Sequence, residues 1–183
     1  MISKSRDTTG EKQMDVYAAI KQRKSVRSYQ DRVIEKEKLN RIMEAVRLAP
    51  SASNRQEWRF VVVQDEEMKK KLATAADNQE FVGQAAAVIV CCAASSDHVM
   101  PCGIESFPVD VSIAIDHLTL AAVAEGLGTC WIGAFDPNKV RQLLGIPDEV
   151  TVVELLPIGY PEDPSLKEKR RLPMGEIVHR ERW

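Results

Sequence analysis

The sequence predicts a compact α+β or α/β layer fold, with strands separated by helices. Three observations carry this. Leu39, Ile42, Met43 and Val46 recur at the helical period in "EKEKLNRIMEAVRLA". "WRFVVVQ", Trp58 to Gln64, is a short run of aromatic and β-branched residues, the composition of a strand. "AAAVIVCCAA", residues 85–94, is apolar without alternation, as a strand buried on both faces requires. With 183 residues and 44% apolar side chains, the chain can fill one core.

The elements follow in order. Residues 1–12 read as a flexible lead, and "MDVYAAIKQRKS" as a short helix with Val16, Ala19 and Ile20 on one side. Pro50 closes the second helix. After the Trp58 strand, "DEEMKKKLATAA" is a helix with Asp65 placed to cap it and acids in its first turn. Residues 95–108 form a loop, and "VDVSIAIDHLTLAAVAEGLGT" is a long helix interrupted only by Asp110, Asp116, His117 and Glu125. A helix with so little polar surface is normally buried all round, which a chain of this size achieves only with a partner subunit covering part of it. "CWIGAF" is expected as a short strand, "DPNKVRQLLGI" as a helix capped by Asp136 with Pro137 at its first position, and "TVVELLPIGYP" as a last strand. The final twenty residues are polar and basic.

Composition excludes several classes. A net charge of -2 leaves no broad basic field for nucleic acid or an anionic membrane. "MISKSRDTTGEKQ" lacks the apolar run of a signal peptide, and the run at 85–94 is too short to span a bilayer. Cys91, Cys92, Cys102 and Cys130 form no CxxC pair and are expected as reduced thiols in a cytoplasmic protein. With His98 they match no metal spacing, and His117 reads as a packed histidine. In "GLGTCWIG" the glycines follow a helix and open a strand, the reverse of a dinucleotide fingerprint, so Gly126 and Gly128 read as a helix stop. Neither a Walker sequence nor a GxSxG elbow is present.

Three polar clusters remain. "RKSVR", Arg23 to Arg27, presents planar donors suited to phosphate and carbonyl oxygens, or is a solvated basic turn. "PSASNRQEW", residues 50–58, offers hydroxyls, amides and a guanidinium that suit a planar polar heterocycle, or is an ordinary polar loop. "KEKRR", residues 167–171, is by itself a solvated charge run. Together they point to an anionic, heteroaromatic cofactor.

In this order the clusters resemble the FMN-dependent nitroreductase family. "RKSVRSY", "APSASNRQEWRFVVV", "AEGLGTCWIGAF", "LLPIGYP" and the ending "EIVHRERW" carry the resemblance over roughly residues 14–182. It implies an α+β fold with a mixed β-sheet flanked by helices, in an intertwined homodimer with FMN at the subunit interface. The FMN-binding domain is then 13–166, and residues 167–183 are an arm that serves the phosphate site and the dimer. By the same resemblance Arg23, Lys24 and Ser25 serve the phosphate and ribityl end, Lys24 mainly through backbone contacts, and Lys169 and Arg171 reach the phosphate. Arg27 matches the basic residue beside flavin N1 and the C2 carbonyl. Asn78 matches an asparagine near the pyrimidine edge, with Gln79 as the other candidate. Pro50, Ser51, Ser53, Asn54 and Gln56 match the loop that closes the site from the other subunit. Pro157, Ile158 and Gly159 match a backbone segment over one flavin face. Gly133 and Ala134 match the turn whose N–H approaches N5.

Two departures stand out. Glu57 replaces a proline before the tryptophan, which would loosen the loop or leave a carboxylate at the pocket mouth, and Gly133 replaces a glutamate. The implied activity is hydride transfer from NADPH or NADH through FMN to an electron-poor acceptor, a nitroaromatic or quinone. The alternatives are a flavin-binding protein without turnover, or a relative performing dehalogenation, ene reduction or flavin fragmentation.

Overall fold

The computed structural model describes residues 14–166 and 168–183; the lead expected at 1–12 lies outside them. Four strands, β1 (Trp58–Val63), β2 (Ala87–Ala93), β3 (Gly128–Thr129) and β4 (Thr151–Gly159), form one sheet in the order β1-β2-β4-β3. All three ladders are antiparallel. The mixed sheet expected from resemblance therefore needs correction: among the described residues its parallel component is one isolated bridge, Ser25 to Thr129. The helices are α1 (Val16–Gln22), α2 (Lys36–Arg47), α3 (Glu66–Ala75), α4 (Glu80–Gln84), α5 (Ser106–Ala124), α6 (Pro137–Leu144) and α7 (Met174–Ile177).

β2 is central and wholly buried, as its unbroken apolar run predicts. Ala87, Ile89, Cys91 and Ala93 face one core layer, shared with Ile42 and Val46 of α2 and Val111, Ile115 and Leu118 of α5. Val88, Val90 and Cys92 face the other, with Leu72 of α3, Val82 of α4 and Val140 of α6. Each such large apolar side chain contributes about 1.5–3 kcal/mol by leaving water. Local signals set the helix starts. Asp65 Oδ1 accepts from Met68 N at 2.8 Å, and Asp136 Oδ1 accepts from Asn138 N at 3.0 Å. Each satisfies a donor that the first helical turn leaves free.

Four elements differ from expectation. α5 begins at Ser106, inside the expected loop, because Pro108 sits in its first turn, where a missing N–H costs no hydrogen bond. The strand expected at 130–135 starts two residues early as β3 and shrinks to a bridge between Ile132 and Leu155. α4 and α7, of five and four residues, are too short to show a period.

By length and composition α5 is apolar enough to cross a membrane. Here it packs on the sheet and on α2 through buried Val111, Ala114, Ile115, Leu118 and Ala122. Its other side, with Val109, Ser112, Ile113 and Asp116, lines an open surface cavity of about 590 Å³. Nearby α1 exposes Val16, Tyr17 and Ile20, so in the single chain the apolar side predicted for α1 buries only Ala19.

Candidate functional site

α1 ends at Arg23, whose N–H donates to the Ala19 carbonyl at 2.8 Å. The chain then runs out beside β3, with Val26 N–H donating to the Thr129 carbonyl at 2.9 Å. A Cβ on Gly128 would stand 2.4 Å from Val26 Cγ2, so this approach requires glycine. From the far end of the chain, Lys169 Nζ donates to the Ile20 carbonyl at 2.6 Å. Burial, and then the positive charges of Arg23 and Arg171, hold the Lys169 ammonium below the usual lysine value. Among the described residues no acid forms an ion pair with Arg23, Lys169 or Arg171. Cations that act on one another with no acid paired to them among the described residues favour an anion nearby. Lys24 plays a different part: its Nζ donates to the carbonyls of Asp163, at 2.8 Å, and Ser165.

Ser25 and Arg27 are exposed on the same segment. Burial raises the thiol of Cys130, against opposing effects of the Arg27 charge and a hydrogen bond with Ser25. Burial likewise raises the phenol of Tyr29, whose hydroxyl donates to the carbonyls of Val26, at 2.8 Å, and Pro157, at 3.2 Å.

Gly133 and Ala134 are exposed at the turn after the Ile132 bridge. Gln79 holds this turn by donating from Nε2 to the Ala134 carbonyl at 3.4 Å and to that of Ala76 at 3.0 Å. Asn78, its neighbour in the chain, has φ 57° and lines a cavity of about 570 Å³ with Tyr29, Lys70, Glu80 and Gln84. Beside the turn lies a residue that the sequence argument missed. Glu154 of β4 places its carboxylate oxygens 3.9 and 4.0 Å from where a Gly133 Cβ would be. Burial pushes its carboxyl up to about 7. The available signal was a lone acid inside the apolar run "TVVELLPIG".

The loop after α2 is held in a strained form. Ser53, Asn54 and Gln56 have φ of 50°, 56° and 53°, left-handed values that side chains disfavour. Local bonds fix them. Ser51 Oγ accepts from Gln56 N at 3.0 Å, Gln56 Nε2 donates to Asn54 Oδ1 at 3.0 Å, and Asp110 Oδ1 accepts from Ala52 N at 2.9 Å. Glu57 fastens the loop rather than loosening it: it pairs with Arg55 at 2.7 Å, and its carbonyl accepts from Ala94 N at 2.8 Å. Glu57 Oε2 and Asp110 Oδ2 are buried without a partner. Within the described chain no hydrogen bond or ion pair joins Pro50 to Gln56 with Arg23, Arg27, Gly133 or Lys169.

Pro157, Ile158 and Gly159 call for a correction. All three are buried inside β4 and present no surface over a ligand. A Cβ on Gly159 would stand 3.0 Å from Tyr29 Cδ1 and 3.1 Å from Ala86 N, so close packing accounts for the glycine. The surface stretch next to β4 is Trp131 to Ala134, where only Ile132 is buried.

The Nitroreductase family model matches residues 20–101 and 76–160. The chain belongs to the nitroreductase family. Its sequence is 36% identical over 186 residues to the NAD(P)H FMN reductase of Bacillus subtilis, covering 92% of this chain and 74% of that protein. Among solved structures, a nitroreductase family protein from Clostridium difficile 630 superposes with a TM-score of 0.81 at 36% identity, over 93% of this chain and 100% of that one. One from Clostridium novyi NT gives 0.79 at 36% identity, over 85% and 89%. Membership supports flavin-dependent oxidoreduction as the general activity.

The residues of this nitroreductase-family chain fit a flavin mononucleotide. Arg23, Lys169 and Arg171 form a cationic corner whose charge suits a phosphate. Gly133, without a side chain, leaves the backbone of its turn open to a flat ring.

Proposed function

We propose that the chain is an FMN-dependent oxidoreductase acting as a homodimer, taking reducing equivalents from NADPH or NADH and passing them to a small electron-poor acceptor, a quinone or nitroaromatic. The observation that carries this is the cationic corner: the charges of Arg23, near the start of the chain, and Arg171, near its end, both act on Lys169, and among the described residues no acid forms an ion pair with any of the three. Bound FMN supplies the two-electron chemistry, and the protein supplies orientation and electrostatics.

Arg23, Lys169 and Arg171 hold the phosphate, with Ser25 beside them and Lys24 bracing the 163–165 segment. Arg27 neutralises negative charge at the N1 and C2 carbonyl edge of the ring; a charge already placed there needs no reorganisation during reaction. The backbone of Gly133 and Ala134 faces N5. Asn78 or Gln79 serves the pyrimidine edge, and the contact of Gln79 with Ala134 favours Gln79.

Pro50, Ser51, Ser53, Asn54 and Gln56 close the site of the neighbouring subunit, which accords with their lack of bonds to this chain's own cationic corner. Exposed Val16, Tyr17, Ile20 and Val109, with Leu172, Met174, Ile177 and Trp183 of the arm, supply the apolar surface that a homodimer would cover. The free, buried Cys91, Cys92 and Cys130 accord with a reducing cytoplasm.

The test is the visible spectrum of the purified protein. It is expected to show flavin absorption that bleaches with NADPH or NADH, and denaturation should release FMN. A colourless protein that takes up no added FMN overturns the proposal. Bound FMN that neither nucleotide reduces identifies a flavin-binding protein without turnover.

A further inference from the structure

The turn that carries Gly133 has a carboxyl behind it. Gly133 lies outside the left-handed φ region, so its backbone does not demand glycine. Among the described residues, Glu154 Oε2 and Oε1 are the only heavy atoms beyond its chain neighbours within 4 Å of where its Cβ would be. Glu154 is half-buried and, among the described residues, has no ion pair with a lysine or arginine. The titratable groups that feel its charge are two thiols, Cys91, its register partner on β2, and Cys130, which follows β3; burial first, and the charge of Glu154 after it, raises both. An acid in such a place is costly to keep charged, and its carboxyl stays protonated up to about pH 7.

We propose that Glu154 is the proton donor of the acceptor half-reaction, reaching the acceptor through the gap that Gly133 leaves. This rests on the oxidoreductase function proposed above. A quinone that has received a hydride, two electrons and one proton drawn ultimately from NAD(P)H, is an anion. It needs one more proton to become the neutral hydroquinone. The Glu154 O–H bond breaks, the proton bonds to the acceptor oxygen, and the carboxylate left behind regains a proton from water. An acid whose protonation changes near the working pH is well matched to this task.

The test compares two acceptors on the FMN-loaded protein. 1,4-Benzoquinone needs the proton, whereas ferricyanide takes electrons without one. Glu154→Gln is expected to lower the quinone-to-ferricyanide rate ratio by about 100-fold, the lower end of general-acid contributions. The fall of quinone reduction above about pH 7 should vanish with it. Gly133→Leu, which screens the carboxyl without removing it, should lower the same ratio, and serves if the Gln variant fails to fold. In flavin-free protein, infrared titration should show a protonated carboxyl band that disappears near pH 7 and is missing from Glu154→Gln. An unchanged ratio in FMN-loaded variants overturns the proposal and leaves the oxidoreductase function standing. A protein that takes up no FMN overturns both, while the infrared band still reports the Glu154 proton.

Discussion

The cationic corner and the Gly133 turn are built in opposite ways. The corner is a surplus: burial first, and then the like charges of Arg23 and Arg171, lower the Lys169 ammonium. The turn is a deficit: a missing side chain at 133, with one unpaired carboxyl behind it. A surplus of charge attracts a ligand before any chemistry occurs, so it sets affinity. A deficit of side chain lets a flat ring and a neighbouring acid approach, so it sets rate. The two regions should therefore separate under mutation, and an experiment that moves both together would break the comparison.

The largest effect is expected at Arg27, the charge between the two regions. Arg27→Ala should slow flavin reduction by about 100-fold, the cost of removing one electrostatic donor aimed at developing charge. FMN affinity should fall much less. Stopped-flow reduction of flavin-loaded variant measures the first and fluorescence titration with FMN the second; an undiminished reduction rate would remove Arg27 from the catalytic machinery. Next comes Lys169→Ala, expected to weaken FMN binding about tenfold, the lower range for a hydrogen bond to a charged group. The same variant saturated with FMN should be reduced at close to the native rate. A large loss of rate at saturation would make the corner more than an anchor.

The smallest effect concerns stability. In the fold Glu154 holds its proton up to about pH 7, above the ordinary value of 4.5 that applies in the unfolded chain. Its raised value therefore contributes stability that is fully present below pH 4.5 and is lost as pH rises through 7. Glu154→Gln escapes that loss. The stability of the variant relative to the native protein should rise by about 1–2 kcal/mol between pH 4.5 and pH 8, a figure discounted for the partial exposure of the group. Urea unfolding at the two pH values measures it, and a difference independent of pH would show that folding does not raise the Glu154 carboxyl.

The two regions also differ in how far they were legible in the sequence. Charges are visible by residue type, but Arg23, Lys169 and Arg171 were linked only by the family resemblance, since residues 167–171 alone read as a solvated charge run; in the structure the charges of Arg23 and Arg171 both act on Lys169. The periods of α2, α3 and α6 and their caps were equally plain, because helix signals are local. Glu154 carried no local signal beyond its oddness in an apolar strand, since its character comes from burial beside residues distant in sequence. The same holds for Asn78 and Gln79. Two adjacent amides look alike in sequence, and only the turn at Asp77 and Asn78, with φ of 53° and 57°, decides which one meets Ala134. Pro157 to Gly159 misled for a related reason: "PIG" looks like an exposed glycine turn, whereas Gly159 is there to admit Tyr29.

The stitch between Lys169 and Ile20 has a consequence of reach. It fixes the origin of the C-terminal arm at the end of α1, while residues 170–183 are exposed along their whole length. Fully extended, those residues can span about 45 Å, against about 40 Å across for a domain of this size. An arm with a fixed root and that length can cross the whole face of a second copy. If the proposed phosphate site and homodimer hold, the lysine that anchors the arm would also belong to the phosphate site, and loading of the site and assembly of the dimer would share one fastening.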